Sequence, residues 1–460
     1  MAPAVLGIDS STQSTKAVLV DADTGRILAE RRAAHPDGTE VDPRAWLDAV
    51  DDATEGLINQ AEAVAVAGQQ HGMVLLDEHG DVVRPALLWN DNRSAPQAKD
   101  LTAELGGPER TVEQLGSLHV ASFTATKMRW VRDEEPQNAA RAASVLLPHD
   151  YVSAHLAEPG TEPFTDRGDA SGTAYFSTAQ DAWRPDLAAA AIGHDIALPR
   201  LPDAPNQVMG RTERGAALAA GTGDNMGAAL GLSLGPGDVS VSIGTSGVCA
   251  MVSDHRPQDA TGTVTGFADA TGRFLPMTTT INASRILETM RAWLDVDHEE
   301  LSRLALSSTP GANGVVLLPY FDGERTPNRP EARATMTGMS TSTTRADLAR
   351  AAVEALLCSL ADGIAALEQV TGTQPSRIVL IGGGARSRAV QELAPAVLGR
   401  PVTIAPEAEY VALGAARQAA WALSGEAEPP VWEQGGGRLV EAEPTPHVLD
   451  AYRALRETTA

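Results

Sequence analysis

The sequence predicts an α/β protein built from two similar lobes, and three observations carry that prediction. The chain has 460 residues, which suits two domains of roughly 200–250 residues each. Apolar residues make up 43% of it, enough for sizeable cores and too many for global disorder. A three-stranded start with a small polar hairpin, followed by alternating helix and strand, occurs once in each half.

The first unit reads as a strand at 5–9, a small polar turn at 10–14, a strand at 17–20, a turn at 21–25 and a third strand at 26–31. Asp42 before Pro43 marks a helix start, with Asp42 as N-cap and proline at the first helical position. Trp46, Val50, Leu57 and Ile58 then recur near helical spacing. A short buried strand at 64–67 ends in Gly68-Gln69-Gln70-His71-Gly72. In the second half, strands at 239–243 and 248–252 flank Gly244-Thr245-Ser246-Gly247. A long amphipathic helix at 345–370 places Leu348, Ala352, Ala355, Leu356 and Leu360 on one side. A strand at 377–381, Gly382-Gly383-Gly384, a helix at 387–398, a strand at 401–404 and a helix at 411–423 follow. The pattern is interrupted at 233–237 by Leu-Gly-Pro-Gly, which divides the chain into 1–234 and 235–460. The Pro- and Gly-rich stretch 426–437 reads as a surface loop, and 446–457 as a final helix.

The formal net charge is −24, from 36 basic and 60 acidic residues. That balance argues against nucleic acid as a partner, because its phosphates demand a basic face. Any nucleotide site must supply local compensation. Lysine occurs only at Lys16, Lys99 and Lys127. No apolar run approaches the roughly 20 residues of a membrane-spanning helix. The start lacks the basic segment of a signal peptide and runs directly into Ile8 and Asp9. Together these point to a cytoplasmic protein that does not engage a membrane. Cys249 and Cys358 read as small core residues in a reducing compartment.

Five motifs could carry chemistry. Asp9-Ser10-Ser11-Thr12-Gln13-Ser14-Thr15-Lys16 is a hairpin whose backbone N–H groups form a concavity for phosphate. Asp9, at the end of a buried strand, is placed to hold a hydrated Mg²⁺ ion. Taken alone, the run also reads as an ordinary hairpin with a turn-capping Asp. Gly244-Thr245-Ser246-Gly247 is the matching hairpin of the second half, and the pair together suggests a nucleotide clamped between two lobes. Gly382-Gly383-Gly384, between a strand and a helix, permits close approach to a flat ligand, although such a turn needs no ligand. Gly221-Thr222-Gly223-Asp224-Asn225-Met226-Gly227 frames one carboxylate at a helix start. Asp224 can serve as the proton acceptor of phosphoryl transfer or as a helix N-cap. Gln70 and His71, at a strand exit, suit hydrogen bonds to sugar hydroxyls. Trp89-Asn90-Asp91-Asn92-Arg93 offers an aromatic among polar neighbours, or a structural loop around a buried Trp. No His or Cys spacing suits zinc, and no serine sits in a nucleophile elbow.

Taken together, these motifs resemble the FGGY carbohydrate kinase family over almost the whole chain, from Gly7 to about Arg456. Residues 122–134, Ser-Phe-Thr-Ala-Thr-Lys-Met-Arg-Trp-Val-Arg-Asp-Glu, look like one family signature. The run from Ala334 through Gly338 and Met339 to Asp347, Leu348 and Glu354 looks like the other. The resemblance implies two ribonuclease-H-like lobes of the actin-like ATPase kind around a central cleft. It implies sugar held mainly by 1–234 and ATP mainly by 235–460. Residue by residue, Asp224 falls on the family's catalytic base, and Asp9 on its Mg²⁺- and phosphate-side aspartate. Ser11, Thr12 and Thr245 fall on the phosphate turns, Gly383 and Gly384 on the adenosine-side loop, and Gln70 and His71 on the sugar pair. ATP and Mg²⁺ are the implied cofactors, and the resemblance leaves room for a homodimer. The implied reaction is transfer of the γ-phosphate to D-xylulose, giving D-xylulose 5-phosphate.

Glycerol kinases carry an Arg-Glu pair where this chain has Gly-Gln-Gln-His-Gly, and bacterial kinases of D-xylulose often carry Met where Gln70 stands. A kinase of another ketose or polyol, such as ribulose or glycerol, therefore remains an alternative reading. An actin- or chaperone-like ATPase is a second, and it would lack the sugar pair and both signatures.

Overall fold

The computed structural model describes residues 3–432 and 436–459. The expectations for residues 1–2, and for 433–435 of the 426–437 loop, lie outside them. In the first half, β1 (Ala4–Ser10), β2 (Ser14–Asp21) and β3 (Ile27–Ala34) form an antiparallel meander. β4 (Ala63–Gly68) lies parallel to β1, and β5 (Ala217–Ala219) parallel to β4. The sheet order is β5-β4-β1-β2-β3, with Val208–Arg211 outside β5. β1 and β4 are central and buried on both faces, so they read as continuous apolar runs rather than alternating ones. The edge strand β3 instead carries Glu30, Arg31 and Arg32, charges that discourage edge pairing.

The second half repeats the plan. β6 (Asp238–Ile243), β7 (Gly247–Met251) and β8 (Phe274–Thr280) are antiparallel, and β9 (Arg377–Ile381) and β10 (Val402–Ile404) run parallel to β6. The order is β8-β7-β6-β9-β10, with Thr265–Ala268 and Arg438–Val440 at the edges. Both sheets thus share the order 3-2-1-4-5, the ribonuclease-H-like plan expected of each lobe.

Helix α1 (Arg44–Thr54) starts one residue later than expected. Pro43 holds the cap position, and Asp42 accepts the Arg44 backbone N–H at 3.0 Å. The helix also stops before Leu57 and Ile58, because Glu55 leaves helical geometry and Gly56 takes a φ of +76°. Helix α2 (Asp224–Gly231) follows the first lobe's sheet. Helix α3 (Arg345–Thr371) opens on a capping box between Thr344 and Asp347. It is buried on nearly every side rather than along one stripe, because β7, β8 and the helices Ser284–Leu294, His298–Ser307 and Arg388–Leu398 all pack on it. Its alanines and Gly363 make that possible.

Helices α4 (Arg388–Leu398) and α5 (Tyr410–Ser424) complete the second half. Helix α5 nevertheless packs on the first lobe's sheet. Ala412, Ala415, Ala416 and Ala419 bury against Val5, Ala63, Ala65 and Ala67. A Cβ on Gly414 would lie 1.8 Å from the Gly227 carbonyl oxygen, so α2 and α5 touch backbone to backbone. Small residues are required along this seam, which ties the two halves together. Cys249 and Cys358 are buried and unbridged, as expected. No helix among the described residues is long and apolar enough to cross a membrane.

Candidate active site

Strand register brings Asp9 and Asp224 to one place. Asp9 pairs with Ala67 of β4, and Thr222 and Gly223 pair with Ala67 and Gly68 of the same strand. Both carboxylates therefore leave the carboxyl end of a parallel pair, the edge of an α/β sheet where ligands collect. They line a cleft of about 740 Å³ together with Ser11, Lys16, Asn225 and Gly383.

Asp224 is not the helix cap: Gly223 takes that position and Asp224 is the first helical residue. Its Oδ1 accepts the Asn225 backbone N–H at 2.8 Å and the Asn225 side-chain amide at 2.9 Å. The described residues give its Oδ2 no hydrogen bond, so that oxygen is open to a proton. Burial, then the nearby charges of Asp9 and Asp169, push the Asp224 carboxyl up to about 7. The Asp9 carboxyl rises to about 6 through burial, against the lowering effect of Ser11 and Lys16. The Ser11 hydroxyl donates to Asp9 Oδ1 at 2.5 Å. Lys16 Nζ stands 3.7 Å from Asp9 and 2.5 Å from Glu409, just ahead of α5.

The two residues expected on the sugar side, Gln70 and His71, are placed differently. Gln70 is buried, and its Oε1 accepts from Asn225 Nδ2 at 2.8 Å, so Asn225 spans Gln70 and Asp224. His71 sits at a φ of +68° and packs against Phe123 and Phe267, with ring centroids 4.9 and 5.5 Å away. Burial, with Lys127 and Arg325 adding positive charge, lowers its pKa to about 3. The neutral ring must therefore donate from Nδ1 to the Gly172 carbonyl at 2.9 Å, which leaves Nε2 as an acceptor.

Thr12 does not itself line the cleft of Asp9 and Asp224: its hydroxyl accepts the Trp89 indole N–H at 2.9 Å. Trp89 is 46% exposed, not the buried loop aromatic that the sequence allowed. Thr245 and Gly384 line an adjoining cavity of about 1020 Å³ with Gly244, Ser284, Glu288 and Arg388. Gly383 and Arg386 border both spaces, which joins them into one path across the lobes. In the glycine run, a Cβ on Gly382 or Gly384 would strike Ile243, at 2.9 and 2.4 Å, whereas Gly383 faces open space. Two of these glycines are thus demanded by packing, and one presents bare backbone to the cavity.

Sequence reasoning assigned no role to Asn225, Lys16 or Glu409. Asn225 was readable as the neighbour of Asp224, but its second partner, Gln70, lies 155 positions away. Lys16 lay inside a singled-out motif, while Glu409 carried no local signal.

The model of the FGGY family of carbohydrate kinases matches residues 4–233 with its N-terminal domain and 239–423 with its C-terminal domain. A xylulose kinase of Streptomyces coelicolor is 43% identical over 96% of this chain and 93% of its own length. One of Escherichia coli is 31% identical over 92% and 90%. The crystal structure of a xylulose kinase from Bifidobacterium adolescentis superposes with a TM-score of 0.92 at 46% identity, covering 99% of each chain. A Plasmodium falciparum glycerol kinase with ADP, at 17% identity and a TM-score of 0.87, shares the fold. The chain belongs to the FGGY family of carbohydrate kinases. It has the two-lobed, actin-like ATPase fold of that family and is a carbohydrate kinase.

Proposed function

We propose that this chain transfers the γ-phosphate of ATP to D-xylulose, giving D-xylulose 5-phosphate. One observation carries the chemistry: Asp224 presents a free Oδ2, with its carboxyl poised near 7, at the floor of a cleft shared by both lobes. A carboxylate in that range takes a hydroxyl proton at neutral pH more readily than an ordinary aspartate. The substrate rests on whole-length likeness to xylulose kinases and on the Gln70–His71 pair, which stands where glycerol kinases carry Arg-Glu.

The ketose lies in the first lobe with a terminal hydroxyl against Asp224 Oδ2. Asn225, itself held by Gln70, binds the opposite edge of that carboxylate, and His71 Nε2 accepts from a sugar hydroxyl. ATP reaches from the cavity beside Thr245, Gly383 and Gly384 toward the hairpin of Asp9, Ser11 and Thr12. Backbone and hydroxyl donors of the two hairpins take the phosphate charge, and Lys16 supplies the cleft with local positive charge. Lobe closure excludes water and brings the hydroxyl in line with the γ-phosphorus. Asp224 Oδ2 accepts the proton as the O–P bond forms.

The residues present fit a divalent cation. The charge of Asp9 raises the proton affinity of Asp224, and that of Glu409 raises the proton affinity of Asp9, so the site carries negative charge that a cation relieves. Among the described residues no group of three or more His, Cys, Asp or Glu could hold a metal unaided. Asp9 is the residue that would hold Mg²⁺, with the remaining ligands coming from outside the protein. When bound, the ion supplies neutralisation of phosphate charge.

The test is ADP release with D-xylulose, D-ribulose and glycerol compared on one enzyme preparation. The reading predicts the highest kcat/KM for D-xylulose. A higher value for either other acceptor overturns the substrate, and no sugar-stimulated turnover with any acceptor overturns the kinase reading.

A further inference from the structure

Behind the sugar pair lies a buried ionic cluster that the mechanism above does not use. His149 is fully buried, and the two backbone segments that lead to the site close onto it. A Cβ on Gly68, just before Gln69 and Gln70, would come within 2.9 Å of His149 Cβ, and one on Gly221, just before Asp224, within 2.6 Å of Cδ2. His149 Nδ1 meets Asp169 Oδ2 at 2.7 Å, and Nε2 stands 3.2 Å from Asp150 Oδ1. Burial opposes charge on the imidazole, but Asp150, Asp169 and Asp166 override it and raise its pKa to about 9. An imidazolium so held donates to Asp169 and keeps that carboxylate an acceptor on both oxygens.

Asp169 Oδ1 and Gln70 Nε2 are both buried and neither has a hydrogen-bond partner, while the Gln70 side chain lies near enough to favour the charged form of the Asp169 carboxyl. The opposite end of the same amide, Oε1, accepts from Asn225 Nδ2. A primary amide has one donor end and one acceptor end. An acceptor-only carboxylate on one side and an N–H on the other allow a single orientation of Gln70. Asn225 then spends its two side-chain hydrogens on Gln70 Oε1 and Asp224 Oδ1. A buried row thus runs from His149 and Asp169 to Gln70, Asn225 and Asp224, closed by hydrogen bonds except between Asp169 and Gln70, where a lone acceptor and a lone donor remain.

We propose that Asp169, held by His149, is a positioning residue for phosphoryl transfer: it sets the orientation of the Gln70 amide and, through Asn225, which oxygen of Asp224 stays free for the sugar proton. The proposal rests on the assignment of Asp224 as the base and of Gln70 as a sugar-side group.

A double-mutant cycle tests it. Gln70→Glu alone sets two carboxylates face to face, and Asp169→Asn alone replaces the fixed acceptor with a group that can turn either end to Gln70. In the Gln70→Glu/Asp169→Asn double variant, donor and acceptor are exchanged and a donor again faces an acceptor. The introduced amide donates from its nitrogen to the new carboxylate, and its oxygen accepts from His149. The expected result is a loss of roughly a hundredfold in kcat for Gln70→Glu and roughly tenfold for Asp169→Asn. KM for ATP should stay within about twofold, and the double variant should exceed Gln70→Glu by about tenfold. A double variant as poor as the product of the two singles overturns the proposal.

If Asp169→Asn does not fold, His149→Gln decides: kcat should fall about tenfold with KM for ATP unchanged, and an unaltered kcat overturns it. The same cycle read in melting temperature needs no turnover. Should the wild type phosphorylate no sugar, the functional reading fails, while rescue or additivity in melting still decides whether Asp169 and Gln70 act on each other.

Discussion

Asn225 gives Asp224 Oδ1 both its backbone N–H and its side-chain amide, at 2.8 and 2.9 Å, and leaves Oδ2 without a hydrogen bond from the described residues. Asn225→Ala keeps the backbone bond and removes the link to Gln70. The expected loss is roughly tenfold to a hundredfold in kcat with a raised KM for the sugar and little change in KM for ATP. Steady-state kinetics with each substrate varied in turn checks it. An effect confined to ATP would place Asn225 on the wrong side of the reaction.

The Asp224 carboxyl, raised to about 7 from an ordinary 3.8, has two pH consequences. A base must be ionised to act, so kcat/KM for the sugar should fall as pH drops below about 7, approaching tenfold per pH unit. For stability the sign is opposite. The folded state prefers the protonated form, so nothing is lost below the unfolded value, and destabilisation grows as pH rises from 3.8 to about 7. Asp224→Asn should therefore melt higher than the wild type at pH 8, by an amount on the order of a few kcal/mol at most, and the gap should shrink toward pH 4. Thermal melts of both proteins across that range check it.

His71 is neutral and offers Nε2 as an acceptor, while Nδ1 is committed to the Gly172 carbonyl. His71→Ala should raise KM for the sugar well above any change for ATP. Binding of each substrate, measured separately by calorimetry, distinguishes the two. Loss of ATP affinity alone would contradict the placement of sugar in the first lobe.

The seam between α2 and α5 has no room for a side chain at Gly414, where a Cβ would lie 1.8 Å from a carbonyl oxygen. Gly414→Ala should destabilise by about 1–3 kcal/mol or more, because backbone rather than a flexible side chain must move. A melting temperature within a degree of the wild type would show that the seam is looser than the packing implies.

The fold was legible because each unit repeats a pattern that local physics enforces: apolar strands at 5–9 and 239–243, small polar hairpins after each, and glycines at 382–384. The 3-2-1-4-5 strand order came only with the family resemblance and not from local pattern, since pairing of Asp9 with Ala67 depends on partners far apart in sequence. Helix α5 on the first sheet was hidden for the same reason: its alanines announce close packing but not against what. At the site, motif residues such as Asp9, Ser11 and Asp224 could be picked out one by one. The hydrogen bonds that give them direction could not. Asn225 meets Gln70 across 155 positions, and His149 meets Asp169 inside the core, where a buried histidine reads like any other core residue. Trp89 was open to either reading because exposure is decided by the neighbouring loop, not by its own sequence.

The most direct measurement is turnover of D-xylulose by Asp224→Asn, set beside its KM for ATP. The account predicts a fall in kcat of several orders of magnitude with ATP affinity largely kept, since the substitution preserves shape and removes only the proton-accepting oxygen. Turnover near that of the wild type would contradict the assignment of Asp224 as the base.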